Sequence, residues 1–356
     1  MQRRNFVKFL ALSPALLSAN TLDSRDFHTK SANPNSENLN SANPNSLATK
    51  GIASIIDLDK CDGCEKLATP ACVSACKSKN AQRFPEPIEK IPEYFPRKVK
   101  EDYSKNRDDI TRLTPYNFTF VERVKVGDKA VSIPRRCMHC DDPTCQKLCP
   151  FGVIGKDKNG AVDIDEHFCF GGAKCRDACP WGIPQRQAGV GIYLKIAPKL
   201  GGGGAMFKCD MCKDLLEAGQ KPACESSCPK SALIFDDRSE ILAQVKSAKE
   251  SGKYIYGDTQ NGGTSTFYIS SIDFKDINSA LAQKYDIDEA NFNGKTQKMG
   301  RPHLNVNVPN FINDDSALVR GVLFAPVAGL VAGAIAVAKS KKAQNITKKG
   351  LINEAK

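Results

Sequence analysis

The sequence predicts an α+β fold with long loops, built from two pseudo-symmetric halves and followed by one C-terminal transmembrane helix. Cysteines stand in four similarly spaced groups, and short strand patterns separate successive groups. Further along, the eighteen residues from 321 to 338 carry no charge. As a helix this stretch would extend roughly 27 Å, which is just enough to cross a bilayer.

The cysteine groups carry the main chemical signal. In the most regular group, two thiols separated by two residues lead to a third thiol and then to a distal cysteine followed by proline. All 15 cysteines fall into such groups, which are Cys61, Cys64, Cys72 and Cys76; Cys137, Cys140, Cys145 and Cys149; Cys169, Cys175 and Cys179; and Cys209, Cys212, Cys224 and Cys228. The pattern is similar to that of bacterial ferredoxins, in which the distal cysteine usually ligates a neighbouring cluster. It therefore predicts iron–sulfur clusters as cofactors.

Zinc sites and disulfide bonds fit the cysteine pattern less well. Zinc sites usually combine two separated Cys-x-x-Cys pairs. Here each such pair is followed by a Cys-x-x-x-Cys pair, usually with proline after it. A disulfide framework is disfavoured because the number of cysteines is odd and the chain is long enough to form an ordinary core.

The first residues are expected to be an export signal rather than part of the fold. Arg3 and Arg4 form a twin-arginine signature, and an apolar stretch follows up to residue 19. This export route carries proteins already folded around their cofactors. Residues 20–50 are polar and contain Ser-Ala-Asn-Pro-Asn-Ser twice, which predicts a disordered spacer.

Residues 51–237 are predicted to form the cluster-binding domain, with an insertion at 77–136. A strand at 53–59 leads into the first cysteine group, and the insertion ends in a hairpin that turns at Gly127-Asp128. A second hairpin turns at Asn159-Gly160, and a strand at 232–235 follows the last group. The rest of the insertion either shields clusters or docks a partner, and the sequence is compatible with both roles.

The remaining residues are expected to connect this domain to the membrane. Residues 238–316 are predicted to be an extension with a helix at 238–251, a strand at 267–269 and an extended arm from 272. An anchor at 317–339 and a basic tail at 340–356 follow. Since basic residues favour the cytoplasmic side, we expect the body on the periplasmic side of the bacterial inner membrane.

The net charge of +11 could suggest a nucleic-acid partner. The excess is concentrated at the two ends, and no basic groove pattern appears between them, so nucleic-acid binding is set aside. His139 is expected to be exposed or hydrogen-bonded at a cluster edge, and Trp181 to pack against a cluster. Gly189–Gly191 and Gly201–Gly204 lack the context of nucleotide-binding loops and are expected to be tight turns.

From Cys61 to Cys228 the chain resembles the four-cluster iron–sulfur subunits of membrane-bound respiratory oxidoreductases. With its signal and anchor it is most similar to the subunit of the nickel–iron hydrogenase-2 type, and then to that of respiratory formate dehydrogenase. The resemblance implies a tandem ferredoxin-like fold of two two-cluster modules. It also implies a catalytic partner, either a nickel–iron hydrogenase or a molybdopterin enzyme, and a membrane partner that exchanges electrons with quinone.

The resemblance further implies how the ligands are shared, because in this family the first motif pairs with the fourth and the second with the third. The implied ligand sets are Cys61, Cys64, Cys72 and Cys228; Cys76, Cys209, Cys212 and Cys224; Cys137, Cys140, Cys145 and Cys179; and Cys149, Cys169 and Cys175.

Gly172 stands where the third motif should have its second cysteine. In related subunits of nitrate reductase, a replacement at this position goes with a [3Fe–4S] cluster. The resemblance therefore implies three [4Fe–4S] clusters and one [3Fe–4S] cluster, or a fourth [4Fe–4S] cluster that is incompletely ligated by cysteine.

The expected role is non-catalytic electron transfer, since clusters saturated by cysteine offer substrate no open coordination position. Two rivals belong to other classes. An open iron at the third motif could act as a Lewis acid in catalysis, and the chain could be a structural zinc protein. Substrate turnover by the isolated chain and its metal content distinguish these possibilities.

Overall fold

The structure is a computed structural model that describes residues 50–93, 100–196, 203–287 and 300–310. The helices of these ranges are α1 (Ala71–Lys79), α2 (Thr144–Lys147), α3 (Lys174–Ala178), α4 (Tyr193–Ile196), α5 (Lys213–Glu217), α6 (Ala223–Ser226), α7 (Arg238–Glu250) and α8 (Phe274–Lys284). The strands are β1 (Ile52–Asp57), β2 (Phe120–Val126), β3 (Lys129–Arg135), β4 (Ile154–Lys156), β5 (Val162–Ile164), β6 (Gln185–Ala188), β7 (Gly204–Phe207), β8 (Leu233–Asp237), β9 (Tyr254–Tyr256) and β10 (Thr266–Ser270).

Several predicted segments fall outside these ranges. They are the export signal, nearly all of the spacer, and the anchor with its basic tail. Among the described residues, none of the helices combines the length and the apolar character needed to span a membrane.

A four-stranded sheet joins the first strand of the described chain to its last three strands. Its strand order is β8-β1-β10-β9, with β1 antiparallel to β8 and parallel to β10. Strand β1 therefore lies beside strands that come after the last cysteine group. The sheet also crosses the predicted boundary at residue 237, because β9 and β10 belong to the extension.

Helix α7 covers one face of this sheet. Its buried residues Ile241 and Val245 pack with Ala53, Ile55 and Phe267. Burial of these apolar side chains, each contributing about 1.5–3 kcal/mol, holds the helix on the sheet. The helix ends just before Gly252, whose φ of +83° suits glycine at a helix C-terminus. The predicted helix at 238–251 is thus confirmed.

Both predicted hairpins are present. In the first, β2 pairs with β3, and Val126 opposite Lys129 closes the two-residue turn at Gly127-Asp128. In the second, β4 pairs with β5, and Asn159-Gly160 lies in the connecting turn. The strands predicted at 53–59, 232–235 and 267–269 correspond to β1, β8 and β10.

The prediction of an extended arm from residue 272 is wrong for residues 274–284, which form helix α8. Asp273 begins the helix by accepting a hydrogen bond from the backbone N–H of Lys275 at 2.9 Å. Phe274, Ile277 and Leu281 are buried at helical spacing and join the main core. The polar residues between them conceal this pattern in the sequence.

The prediction of a tight turn at 201–204 is wrong at its last residue, because Gly204 begins strand β7, which pairs with β6. A Cβ atom at Gly204 would lie 2.2 Å from the carbonyl oxygen of Gln187. Only glycine allows the two strands to approach this closely. This ribbon connects the third cysteine group to the fourth.

Candidate iron–sulfur sites

The structure brings cysteines from different motifs together in four places. We number these places by the thiols around them: site 1 has Cys61, Cys64, Cys72 and Cys228; site 2 has Cys76, Cys209, Cys212 and Cys224; site 3 has Cys137, Cys140, Cys145 and Cys179; and site 4 has Cys149, Cys169 and Cys175. All four cysteines of site 1 line one pocket.

The thiols of each site lie close enough to shift one another's pKa. Burial raises the pKa of Cys72 to about 12, and the nearby thiols of Cys61, Cys64 and Cys228 add to the shift. The other three sites show the same effect. In each of them we name one cysteine whose pKa is raised by burial and, in addition, by the thiols of its own site. These cysteines are Cys76 in site 2, Cys140 in site 3 and Cys175 in site 4.

Short helices explain why one motif serves two sites. Cys72 and Cys76 lie four residues apart on α1, so they occupy the same face at different heights. One belongs to site 1 and the other to site 2. Cys145 on α2 and Cys149 just beyond it divide in the same way between sites 3 and 4. Helix α1 packs against α6, and α2 packs against α3.

The sites are neighbours in succession. Besides burial, the thiol of Cys72 contributes to raising the pKa of Cys224, which links sites 1 and 2. Cys137 affects Cys209 in the same way and links sites 2 and 3. Cys145 affects Cys175 and links sites 3 and 4. Each site is thus connected to the next one in number.

The donor set fits iron–sulfur clusters. Buried thiolates repel each other and lack water, so they need bound cations to remain deprotonated. Backbone N–H groups also point at the sulfurs, as Ala232 does at Cys228 (3.3 Å) and Met206 at Cys169 (3.4 Å). Among the described residues, no three cysteine, histidine or carboxylate side chains converge closely enough to hold a single metal ion.

One backbone feature occurs in all four motifs. The residue two positions after the first cysteine has a positive φ each time, and these residues are Gly63 (67°), His139 (48°), Gly171 (70°) and Met211 (63°). In three of these loops the next residue is the second cysteine of the motif, and in the loop of Gly171 it is Gly172. Gly172 therefore occupies the place of a cysteine in the backbone as well as in the sequence.

The space around Gly172 is open. A Cβ atom there would have the ring of Phe170 as its nearest neighbour, at 3.8 Å, and its φ is not positive. The tight position is the preceding Gly171, where a Cβ atom would lie 2.4 Å from the carbonyl oxygen of Gly204. Glycine at 172 is thus not required by the backbone.

Two segments match the profiles of families described as "4Fe-4S dicluster domain", at residues 60–153 and 129–238. Together they include every cysteine of the chain. The chain contains two 4Fe-4S dicluster domains. Sites 1 and 2 share their motifs, as do sites 3 and 4, so the dicluster unit is present twice.

The relatives of this dicluster protein include subunits of several oxidoreductases. Hydrogenase-2 operon protein HybA of Escherichia coli O157:H7 is 26% identical over 78% of this chain and 83% of its own length. Formate dehydrogenase-O iron-sulfur subunit of E. coli K12 is 29% identical over 61% and 66%, respectively. The B subunit of anaerobic dimethyl sulfoxide reductase from E. coli K12 is 40% identical over 30% and 45%.

A further relative, from Nitratidesulfovibrio vulgaris, is 30% identical, and the match spans about half of its length (54%). These similarities and the dicluster domains identify the chain as an iron–sulfur electron-transfer subunit.

The insertion of the dicluster protein packs against the third motif. Glu101 accepts hydrogen bonds from Arg176 (2.6 Å) and Arg186 (2.9 Å), and both arginines are buried. Both contacts lower the pKa of Glu101 against the effect of burial, which raises it. The described part of the insertion therefore covers the protein around site 4, which favours the shielding role for this part.

Three residues around the cysteines show how far the sequence could be interpreted. His139 is completely buried and its Nε2 atom lies 3.7 Å from Sγ of Cys209, so of its two expected positions the hydrogen-bonded one at a cluster edge is confirmed. Asn261 was missed from the sequence: it is completely buried near Cys140, and its side-chain oxygen accepts a hydrogen bond from the hydroxyl of Thr144 at 3.3 Å. Trp181 lies next to Cys179 in the core and donates its indole N–H to the hydroxyl of Tyr256 at 2.7 Å.

Proposed function

We propose that this chain relays electrons between a periplasmic catalytic subunit, a nickel–iron hydrogenase, and a quinone-linked membrane subunit. The succession of four neighbouring sites carries this proposal, since a relay of one-electron centres needs each centre close to the next. The similarity to HybA over most of both chains supports a hydrogenase partner. The alternative is a formate dehydrogenase or another molybdopterin enzyme, supported by the formate dehydrogenase-O relative.

The residues of the chain hold and insulate the centres. Bound clusters would supply reversible one-electron chemistry, with potentials set by cluster type, hydrogen bonds to sulfur and burial. The cysteines fix the position of each centre, and apolar core residues pack around the thiols. Site 1 reaches the surface through the partly exposed Cys61 and Cys64. Site 4 does so near Phe151 and Phe168, which are about half exposed.

The cofactors we propose are three [4Fe–4S] clusters at sites 1 to 3 and one [3Fe–4S] cluster at site 4. Site 4 has three thiols and a glycine at the fourth position, so its fourth iron has no cysteine ligand. A catalytic role for an open iron at this site is the rival function. Turnover of substrate by the isolated chain would support that rival.

Copurification tests the identity of the partner. An affinity tag on this chain is expected to recover a complex that contains nickel and no molybdenum, in anaerobic preparations from native membranes. Metal analysis of the purified complex by mass spectrometry checks this. Molybdenum without nickel would replace the hydrogenase assignment with the molybdopterin alternative. Recovery of neither metal in an intact complex would contradict both.

We also place the body of the protein in the periplasm, held by a C-terminal membrane anchor. Arg3 and Arg4 support export in the folded state, and the uncharged stretch 321–338 supports the anchor. Replacing both arginines by lysine is expected to leave the protein in the cytoplasm, as measured by cell fractionation. Lys8→Arg serves as the control and keeps normal export. Periplasmic delivery of the double-lysine variant at the wild-type level contradicts the assignment.

A further inference from the structure

His139 lies at the junction between the two dicluster units. It follows Cys137 and precedes Cys140, both of site 3, and its side chain is 0% exposed. Its Nε2 atom lies 3.7 Å from the Sγ atom of Cys209, which belongs to site 2. One imidazole therefore extends from the backbone of one unit to a ligand sulfur of the other.

The hydrogen bonds define the tautomer of this imidazole. The backbone N–H of Val162 donates to Nδ1 of His139 at 3.0 Å. Nδ1 must then carry a lone pair, so the ring proton is on Nε2. The Nε2–H group faces Cys209, and the interaction is an N–H···S hydrogen bond with histidine as the donor.

The surroundings keep the ring neutral. The ring is completely buried, where a charge without a partner would be unfavourable. The Nδ1 atom also has no room for a proton, because Val162 already donates to it. The ring is held in one orientation by strand β5 on one side and the loop of site 2 on the other.

We propose that His139 is a positioning residue that raises the reduction potential of the centre at site 2, and so sets the electron equilibrium across the junction between the two units. A donor to a ligand sulfur withdraws negative charge from it, which favours the reduced and more negative form of the centre. The backbone N–H of Met211 donates to the same sulfur at 3.4 Å, and His139 adds a second donor.

The proposal rests on the relay function only in requiring a cluster at site 2. It can be tested on the purified full chain without any partner, so its failure is distinct from a failure of the relay. An EPR-monitored redox titration of the chain should show one potential that is lower in His139→Leu than in the wild type. We expect about a tenfold change in the ratio of reduced to oxidised centre, which is about 59 mV for a one-electron couple.

Two variants serve as controls. His139→Gln offers an amide N–H near the position of Nε2 and should restore most of the potential. Ile241→Val changes a buried side chain of helix α7, in a core cluster that contains no cysteine, so it should leave the potential unchanged. Equal shifts in the Leu and Gln variants, or no shift in His139→Leu with full iron content, would overturn the proposal.

A spectroscopic measurement on the wild type keeps the test independent of whether variants assemble. In protein labelled with ¹⁵N-histidine, pulsed EPR of the reduced chain should detect a histidine nitrogen and an exchangeable proton coupled to one cluster. The absence of any such coupling contradicts the hydrogen bond and with it the proposal. Persistence of the coupling in His139→Leu would do the same.

Discussion

Quinone-linked turnover of the assembled complex is expected to fall to background when Cys140 and Cys145 are both replaced by serine. Both residues belong to site 3, which neighbours site 2 on one side and site 4 on the other. Two remaining thiols are too few to hold even a three-iron cluster. Substrate oxidation with an artificial dye at the catalytic subunit should continue at the wild-type rate, because electrons leave before reaching site 3.

The two activities are measured on the same anaerobic preparation, so the dye-linked rate is an internal control for the catalytic subunit. Copurification of all subunits shows that the complex has assembled. The relay is falsified if the assembled variant, lacking the site 3 cluster by EPR, reduces quinone at the wild-type rate.

Gly172→Cys is expected to convert site 4 from a three-iron to a four-iron centre. Residue 172 follows a residue of positive φ, as Cys64, Cys140 and Cys212 do, and a Cβ atom added there would lie 3.8 Å from its nearest neighbour, the ring of Phe170. The oxidised wild type should show the EPR signal of a [3Fe–4S] centre, and the variant should lose this signal. The potential of the site should also fall, since potential depends on cluster type and charge.

Gly172→Ala is the matched control, because it adds the same Cβ atom without a thiol. It should keep the [3Fe–4S] signal and the iron content of the wild type. The contrary outcome is four intact [4Fe–4S] clusters in the wild type, without a [3Fe–4S] signal even after mild oxidation. A side chain other than cysteine would then supply the fourth ligand at site 4.

The sequence predicted the parts of the fold that depend on short-range patterns. The turns at Gly127-Asp128 and Asn159-Gly160 define their hairpins within a few residues. Helix α7 shows its apolar face and its terminating glycine directly. Helix α8 was missed because lysine, asparagine and aspartate occur between its buried residues, which weakens the periodicity.

Long-range relations needed the structure. The pairing of Ser54 with Thr266 joins residues more than 200 positions apart, and no local pattern specifies it. The thiol count and the family resemblance led to the motif assignments, but the direction of the His139 side chain depends on Cys209, 70 residues later. The openness of position 172 likewise depends on how strand β7 packs against Gly171.

The parallel pairing of β1 with β10 also determines how late in protein synthesis the four-stranded sheet can be completed. Strand β1 is made early, but one of its neighbours ends at Ser270, after every cysteine has been added. Such a distant contact forms late and slowly. A chain interrupted before β10 leaves the edge of β1 unpaired and open to aggregation or proteolysis. The sheet therefore serves as a check on chain completeness, since it closes only after all ligands for the cofactors are present.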